Sequence, residues 1–135
     1  MAFLTWSNSY SVGVQQFDAE HKQLFSIMND VYEGMMAGKG KDVLQTVLEK
    51  LIRYTEQHFS SEEVAMTRTG YAELQSHDAL HRAFTTKVKD FQTQYRAGAV
   101  ALSVQLLDFL RDWLTNHIGG VDKRYTAHLN AKGVH

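Results

Sequence analysis

The sequence predicts an all-α fold: an up-down-up-down antiparallel four-helix bundle with an extended N-terminal arm. Three observations predict it. Apolar residues recur at helical spacing in four stretches. There is no proline, so long helices run uninterrupted, and glycines punctuate them. The connections between the stretches are short, which makes neighbouring helices antiparallel.

Residues 1–17 form the arm. Met1 to Val14 is rich in Ser, Asn, Thr and aromatics and has no helical period, so Trp6, Tyr10, Val12 and Val14 are expected to pack against the bundle. The bundle spans 18–129. Its first helix is expected to start near Asp18, an N-cap type of residue, and to bury Leu24, Phe25, Ile27, Met28, Val31, Tyr32 and Met35 before Gly38-Lys39-Gly40 stops it. The second runs from about Asp42 to Arg68, with Val43, Leu44, Val47, Leu48, Leu51, Ile52, Tyr54, Thr55, His58, Phe59, Glu62 and Met66 near one face; Gly70 ends it. The third runs from Tyr71 or Leu74 to Arg96, with Leu74, His77, Leu80, His81, Phe84, Val88 and Phe91 inward, and Gly98 closes it. The fourth starts near Val100 and carries Leu102, Leu106, Phe109, Leu110, Trp113, Leu114, His117 and Ile118. Gly119-Gly120 weakens it by about 1 kcal/mol per glycine. Helix resumes from Val121 to Leu129, and the tail, 130–135, is expected to fray. No internal repeat, linker or low-complexity segment divides the chain, so it reads as one domain.

Composition narrows the function. The 135 residues carry a net charge of −1 with acids and bases interspersed, so there is no basic patch for nucleic acid and no cationic face for a membrane surface. There is no cysteine, which excludes thiolate metal sites and disulfides. No leader-like start and no apolar run of about 20 residues is present, so a cytoplasmic location without membrane insertion is expected. Seven histidines in this length is the anomaly.

Five of those histidines fall in clusters with two carboxylates: His21 alone, His58-x3-Glu62, His77-x3-His81 and His117-x4-Asp122. Residues at i and i+4 differ by about 40° around a helix, so His58 shares a face with Glu62, and His77 with His81. His117 and Asp122 are about 140° apart on a regular α-helix. Local unwinding or a π-type bulge at Gly119-Gly120 would bring Asp122 inward. The imidazoles interrupt apolar stripes, where burial without partners costs several kcal/mol; coordination to a metal removes that cost. Suppose both carboxylates bridge two ions. Three histidines then leave one ion saturated once a solvent-derived bridge is added, and two histidines leave the other with an open position. Imidazole with carboxylate at high coordination number suits iron or manganese, and an open position on iron suits a small ligand such as O2. Glu63, adjacent to Glu62, is expected to be solvated, and His128 and His135 to lie at the surface. Phe25, Phe84, Phe91 and Phe109 read as core packing.

The segments DAEHKQLF, HFSSEEVAM, GYAELQSHDALH and WLTNHIGGVDKRY resemble those of the hemerythrins, in particular the single-domain bacterial members, and the resemblance runs from Trp6 to about His135. It implies two iron ions in a non-haem di-iron centre, bridged by an oxo or hydroxo group and by carboxylates, that binds O2 reversibly. By resemblance, His77, His81 and His117 are ligands of the saturated iron, His21 and His58 of the five-coordinate iron, and Glu62 and Asp122 the bridges. Leu24, Phe59, Trp113, Leu114 and Ile118 resemble the family's O2 pocket. Two departures stand out: Ala72 where many bacterial members have proline, and Gly119 where a larger residue is common. The glycine is expected to widen a path near the site and speed autoxidation.

The expected function is therefore O2 transport, storage or delivery, not enzymatic turnover, by a monomer. An O2-consuming enzyme or membrane oxidase is the expected recipient. The alternatives are an O2 or redox sensor acting through a partner protein, which the absence of a signalling domain disfavours, and a di-iron oxidase or peroxidase. Ferritin-like oxidases use more carboxylates and fewer histidines than occur here.

Overall fold

A computed structural model describes residues 4–38, 41–97 and 102–135, without the side chains of 41–43 and 102–104. Helices account for nearly all of it: α1 Gln15–Met36, α2 Lys41–Thr69, α3 Leu74–Arg96, α4 Leu102–Trp113 and α5 Thr126–Ala131. Between α4 and α5 the helical backbone continues as a π-helix, Leu114–Val121, and a 3-10 turn, Asp122–Tyr125. These four segments make one rod, the fourth of an antiparallel bundle. No strand occurs among the described residues.

Amphipathic stripes drive the packing. Leu24, Ile27, Met28 and Val31 of α1, Leu48 and Leu51 of α2, Phe84 and Val88 of α3, and Leu106, Leu110, Leu114 and Ile118 of the fourth rod form one buried cluster. Val12, Val14, Phe17, Met66, Tyr125 and Leu129 form a second. His21 falls between Phe17 of the second cluster and Leu24 of the first, Glu62 between Phe59 and Met66, and Asp122 between Ile118 and Tyr125. A polar layer is thus enclosed above and below by apolar ones.

Several expectations are corrected. α1 starts at Gln15, ahead of Asp18, and Val14 is its N-cap without a side-chain bond. Asp18 is already inside the first turn. Its carboxylate accepts the Val12 amide at 2.8 Å and the Ser11 hydroxyl at 2.6 Å, tying the arm to the helix. The arm packs as expected, with Val12 and Val14 buried and Trp6 and Tyr10 against Phe25, although a 3-10 turn over Asn8–Tyr10 interrupts its extended course. Leu80 is 42% exposed; it lines a surface groove with Trp113 rather than the core. The tail does not fray at once: the Val134 amide donates to the Leu129 carbonyl at 2.9 Å, and Val134 packs on the second cluster.

The stops at Gly38 and Gly70 hold, both with the left-handed backbone that ends a helix (φ 65° and 71°). α3 begins at Leu74, after a turn through Tyr71 and Ala72. The expected roles of Lys39, Gly40, Gly98 and Val100, and of the side chains of Val43 and Leu102, lie outside the described residues.

Candidate metal centre

The four rods deliver seven donors to one place. His21 comes from α1, His58 and Glu62 from α2, His77 and His81 from α3, and His117 and Asp122 from the fourth rod. All seven are buried, with exposures of 0–3%. Two overlapping groups result, each with donor atoms within 4.8 Å of one another: His77, His81 and His117 with Glu62 and Asp122, and His21 and His58 with the same two carboxylates.

The contacts resolve how the carboxylates are shared. Asp122 Oδ1 lies 2.9 Å from both His77 Nε2 and His117 Nε2, while its Oδ2 lies 3.2 Å from His21 Nε2. Glu62 Oε1 lies 3.2 Å from His81 Nε2 and 3.5 Å from His58 Nε2, and its Oε2 lies 3.5 Å from His21 Nε2. Every histidine presents Nε2. Among the described residues, the Nε2 atoms of His21, His77, His81 and His117, Glu62 Oε1 and both Asp122 oxygens have no hydrogen-bond partner. Leaving so many buried polar atoms orphaned costs about 1–3 kcal/mol each, which is the signature of a site shaped for cations. Imidazole nitrogen and carboxylate oxygen, without thiolate, suit iron or manganese.

The π-helix explains the awkward spacing of the last pair. The Asp122 amide donates to the His117 carbonyl, an i→i+5 bond. With five residues to that turn instead of four, residue 122 stands above residue 117, and both side chains point inward. The expectation of a π-type bulge is met, and it spans 114–121 rather than the two glycines alone.

In the metal-free chain these groups balance one another's charge. Burial pushes the His21 imidazole down, but the close approach of Asp122 and then Glu62 outweighs it and carries its pKa up to about 10. Burial pushes both carboxyls up, and the Asp122 charge adds to this at Glu62, yet the surrounding imidazoles hold both Glu62 and Asp122 below the ordinary carboxylate range.

An outer layer braces the donors. Phe59 lies flat on His81 (centroids 3.8 Å apart, 2° between planes), and Trp113 stacks on His117 (4.5 Å, 12°). Leu24, Leu114 and Ile118 are fully buried. Trp113, only partly buried, packs on the same cluster. Three further residues, none marked as a ligand by its spacing, belong to this layer. Tyr125, wholly buried, donates its hydroxyl to Glu62 Oε2. Glu20 pairs with His58 Nδ1 and Glu63 with His81 Nδ1. Glu63 is therefore not simply solvated. His128 also has a partner, the Thr69 carbonyl 2.9 Å from its Nε2. Gly119 faces the Tyr10 ring, 4.0 Å from where a Cβ would stand.

Comparison with known proteins agrees with this geometry. Residues 12–129 match the hemerythrin HHE cation binding domain. The chain is 34% identical to the bacteriohemerythrin of Methylococcus capsulatus over 132 residues, 97% of this chain and 100% of that one. It is 31% identical to the bacteriohemerythrin of Pseudomonas aeruginosa, covering 93% of this chain and 80% of the relative, and 29% identical to the myohemerythrin of Riftia pachyptila, covering 92% of each. A crystal structure of wild-type hemerythrin superposes with a TM-score of 0.86 at 34% identity, over 95% of this chain and 98% of the other. Sequence, bundle and buried donor layer together place this chain in the hemerythrin family.

Proposed function

We propose that this protein binds O2 reversibly at a non-haem di-iron centre and serves in oxygen transport, storage or delivery. The observation that carries the reading is the pair of donor sets that share Glu62 and Asp122 and divide the histidines three to two. His77, His81 and His117 would hold one iron and His21 and His58 the other, with the two carboxylates shared between them. When bound, the iron pair supplies the electrons and the open coordination position that reversible O2 binding requires.

The chain's own residues do the rest. The three-histidine half offers five protein donors and the two-histidine half four, so with a shared solvent-derived bridge the open position would belong to the two-histidine half. Leu24, Phe59, Trp113, Leu114 and Ile118 form the O2 pocket and exclude water, which slows irreversible oxidation. The supporting observation is the burial of all but Trp113 beside the donors. Tyr125, bonded to Glu62, fixes that carboxylate between the two histidine sets, where it could be shared by both irons. No helix among the described residues is long and apolar enough to cross a membrane. The reading is completed by a cytoplasmic monomer that hands O2 to an O2-consuming enzyme or membrane oxidase. As a binding protein it needs no turnover chemistry of its own.

Anaerobic loading with ferrous iron, followed by cycles of air and inert gas under optical spectroscopy, tests this. Two irons per chain and full spectral reversal over several cycles are expected. Fewer than two irons, or bleaching on the first exposure, would overturn it.

A further inference from the structure

Two of the seven donors have a second anchor on the side turned away from the centre. His58 Nδ1 lies 2.6 Å from Glu20 Oε1, and His81 Nδ1 lies 3.0 Å from Glu63 Oε2. An ionised carboxylate only accepts hydrogen bonds, so each Nδ1 carries the hydrogen and each Nε2 keeps its lone pair for the centre.

The two anchors are unequal. Glu20 is itself held in place. Gln16 Nε2 donates to its Oε2 at 3.1 Å, and the Tyr54 hydroxyl donates to its backbone carbonyl at 3.0 Å. Glu63 makes the longer contact, is somewhat more exposed (29% against 22%), and sits in a close group with the Asp78 carboxylate. Two facing carboxylates repel, which holds Glu63 less firmly against His81 than Glu20 is held against His58. His21, the other histidine of the two-histidine set, has no hydrogen-bond partner at Nδ1 among the described residues.

We propose that Glu20 is the positioning residue of the two-histidine half of the centre. Through His58 Nδ1 it fixes that ring's rotation and tautomer and strengthens it as a donor. It thereby governs the affinity and potential of the metal there more strongly than Glu63 governs the other. The physical reason is that a carboxylate bonded to the far nitrogen makes an imidazole more basic and favours the more highly charged metal ion.

This inference rests on the di-iron reading, and the iron content of the unaltered chain separates the two. Glu20→Gln keeps an accepting oxygen but removes the charge. Glu20→Ala removes both, and Glu63→Gln is the comparison at the other half. Each is loaded anaerobically with ferrous iron, then followed by chelator competition and by redox titration. Thermal melting of the metal-free forms is measured alongside. Glu20→Ala is expected to weaken one of the two irons by about 10- to 100-fold. Glu20→Gln is expected to retain two irons and to raise the midpoint potential, by about 59 mV for each tenfold loss of ferric preference. Glu63→Gln should shift it less. A purely structural role would move the melting temperature and leave the potential alone. An unchanged potential in Glu20→Gln, or an equal or larger shift in Glu63→Gln, overturns the inference even if the unaltered chain holds two irons. Fewer than two irons in the unaltered chain would overturn the di-iron reading and this inference with it.

Discussion

At the residue scale the centre depends on polar atoms that are costly to bury singly and tolerable only together. Tyr125 illustrates the coupling: its hydroxyl, fully buried, donates to Glu62, and burial followed by the Glu62 and Asp122 charges raises its pKa well above that of an ordinary tyrosine. Tyr125→Phe should destabilise the metal-free chain by about 1.5–3 kcal/mol, the usual worth of a hydrogen bond to a charged group. Denaturant unfolding would measure it, and a change under about 0.5 kcal/mol would count against the bond, since surface-like substitutions stay within that range. The gap at Gly119 makes a second prediction. The position is partly exposed and looks onto the Tyr10 ring at 4.0 Å. Gly119→Met places a side chain in ordinary contact there and narrows the approach to the centre, so oxidation of the oxygenated form should slow. Equal oxidation rates would dismiss any gating role for this glycine. The donor residues themselves were legible in the sequence, because an imidazole in an apolar stripe stands out. Their outer partners were not. Glu20 and Glu63 look like ordinary surface acids, and only the packing of α1 on α2, and of α2 on α3, shows which imidazole each one meets.

At the scale of the element, the π-helix is the decisive feature. A regular α-helix through 114–121 would separate His117 from Asp122 by about 140°, and the i→i+5 bond from the Asp122 amide to the His117 carbonyl removes that offset. Insertion of one alanine after Gly120 tests this. A Cβ at that glycine would meet no neighbour within 4 Å among the described residues, so the added side chain has room. Lengthening the turn by one residue would rotate Asp122 by about 100° relative to His117 and off the shared face. Iron content should fall below two per chain while helical circular dichroism stays near that of the parent. Retention of both irons would mean that Asp122 is dispensable as a bridge. The five-residue spacing and the paired glycines made a bulge legible, but its length was not, since the backbone from Leu114 onward joins it. The start of α1 shows the reverse case. Asp18 has the chemistry of an N-cap, yet it lies within the first turn and secures the arm through Ser11 and Val12. Capping preference is a local property, and a tertiary contact outweighed it.

At the scale of the whole molecule, the bundle keeps a charged layer between two apolar clusters, and protons and metal compete for it. In the metal-free chain His21 is raised from 6.5 to about 10. Its contribution to stability is therefore fully present below about pH 6.5 and is lost as pH rises toward about 10. Glu62 and Asp122 are held low, so their contribution is present above the ordinary values of 4.5 and 3.8 and is lost as pH falls through the depressed ones. The melting temperature of the metal-free protein should thus decline between pH 6.5 and 10, whereas the iron-loaded form should not follow it. Loading near neutral pH should release protons as the metal displaces them from the imidazoles, which an indicator dye would register. Parallel melting curves and no proton release would contradict this account of the charged layer.

By itself the sequence determined the fold class, the number of rods and the identity of the seven inward donors, because helical periodicity and short connections leave few alternatives and buried imidazoles need partners. Tertiary structure decided the rest. It set the length of the π-helix from Leu114 to Val121, turned Leu80 outward, and gave Glu20, Glu63 and Tyr125 their places against the donors. Those outcomes depend on how one helix is rotated against the next, a property of packed surfaces that no single stretch of chain contains.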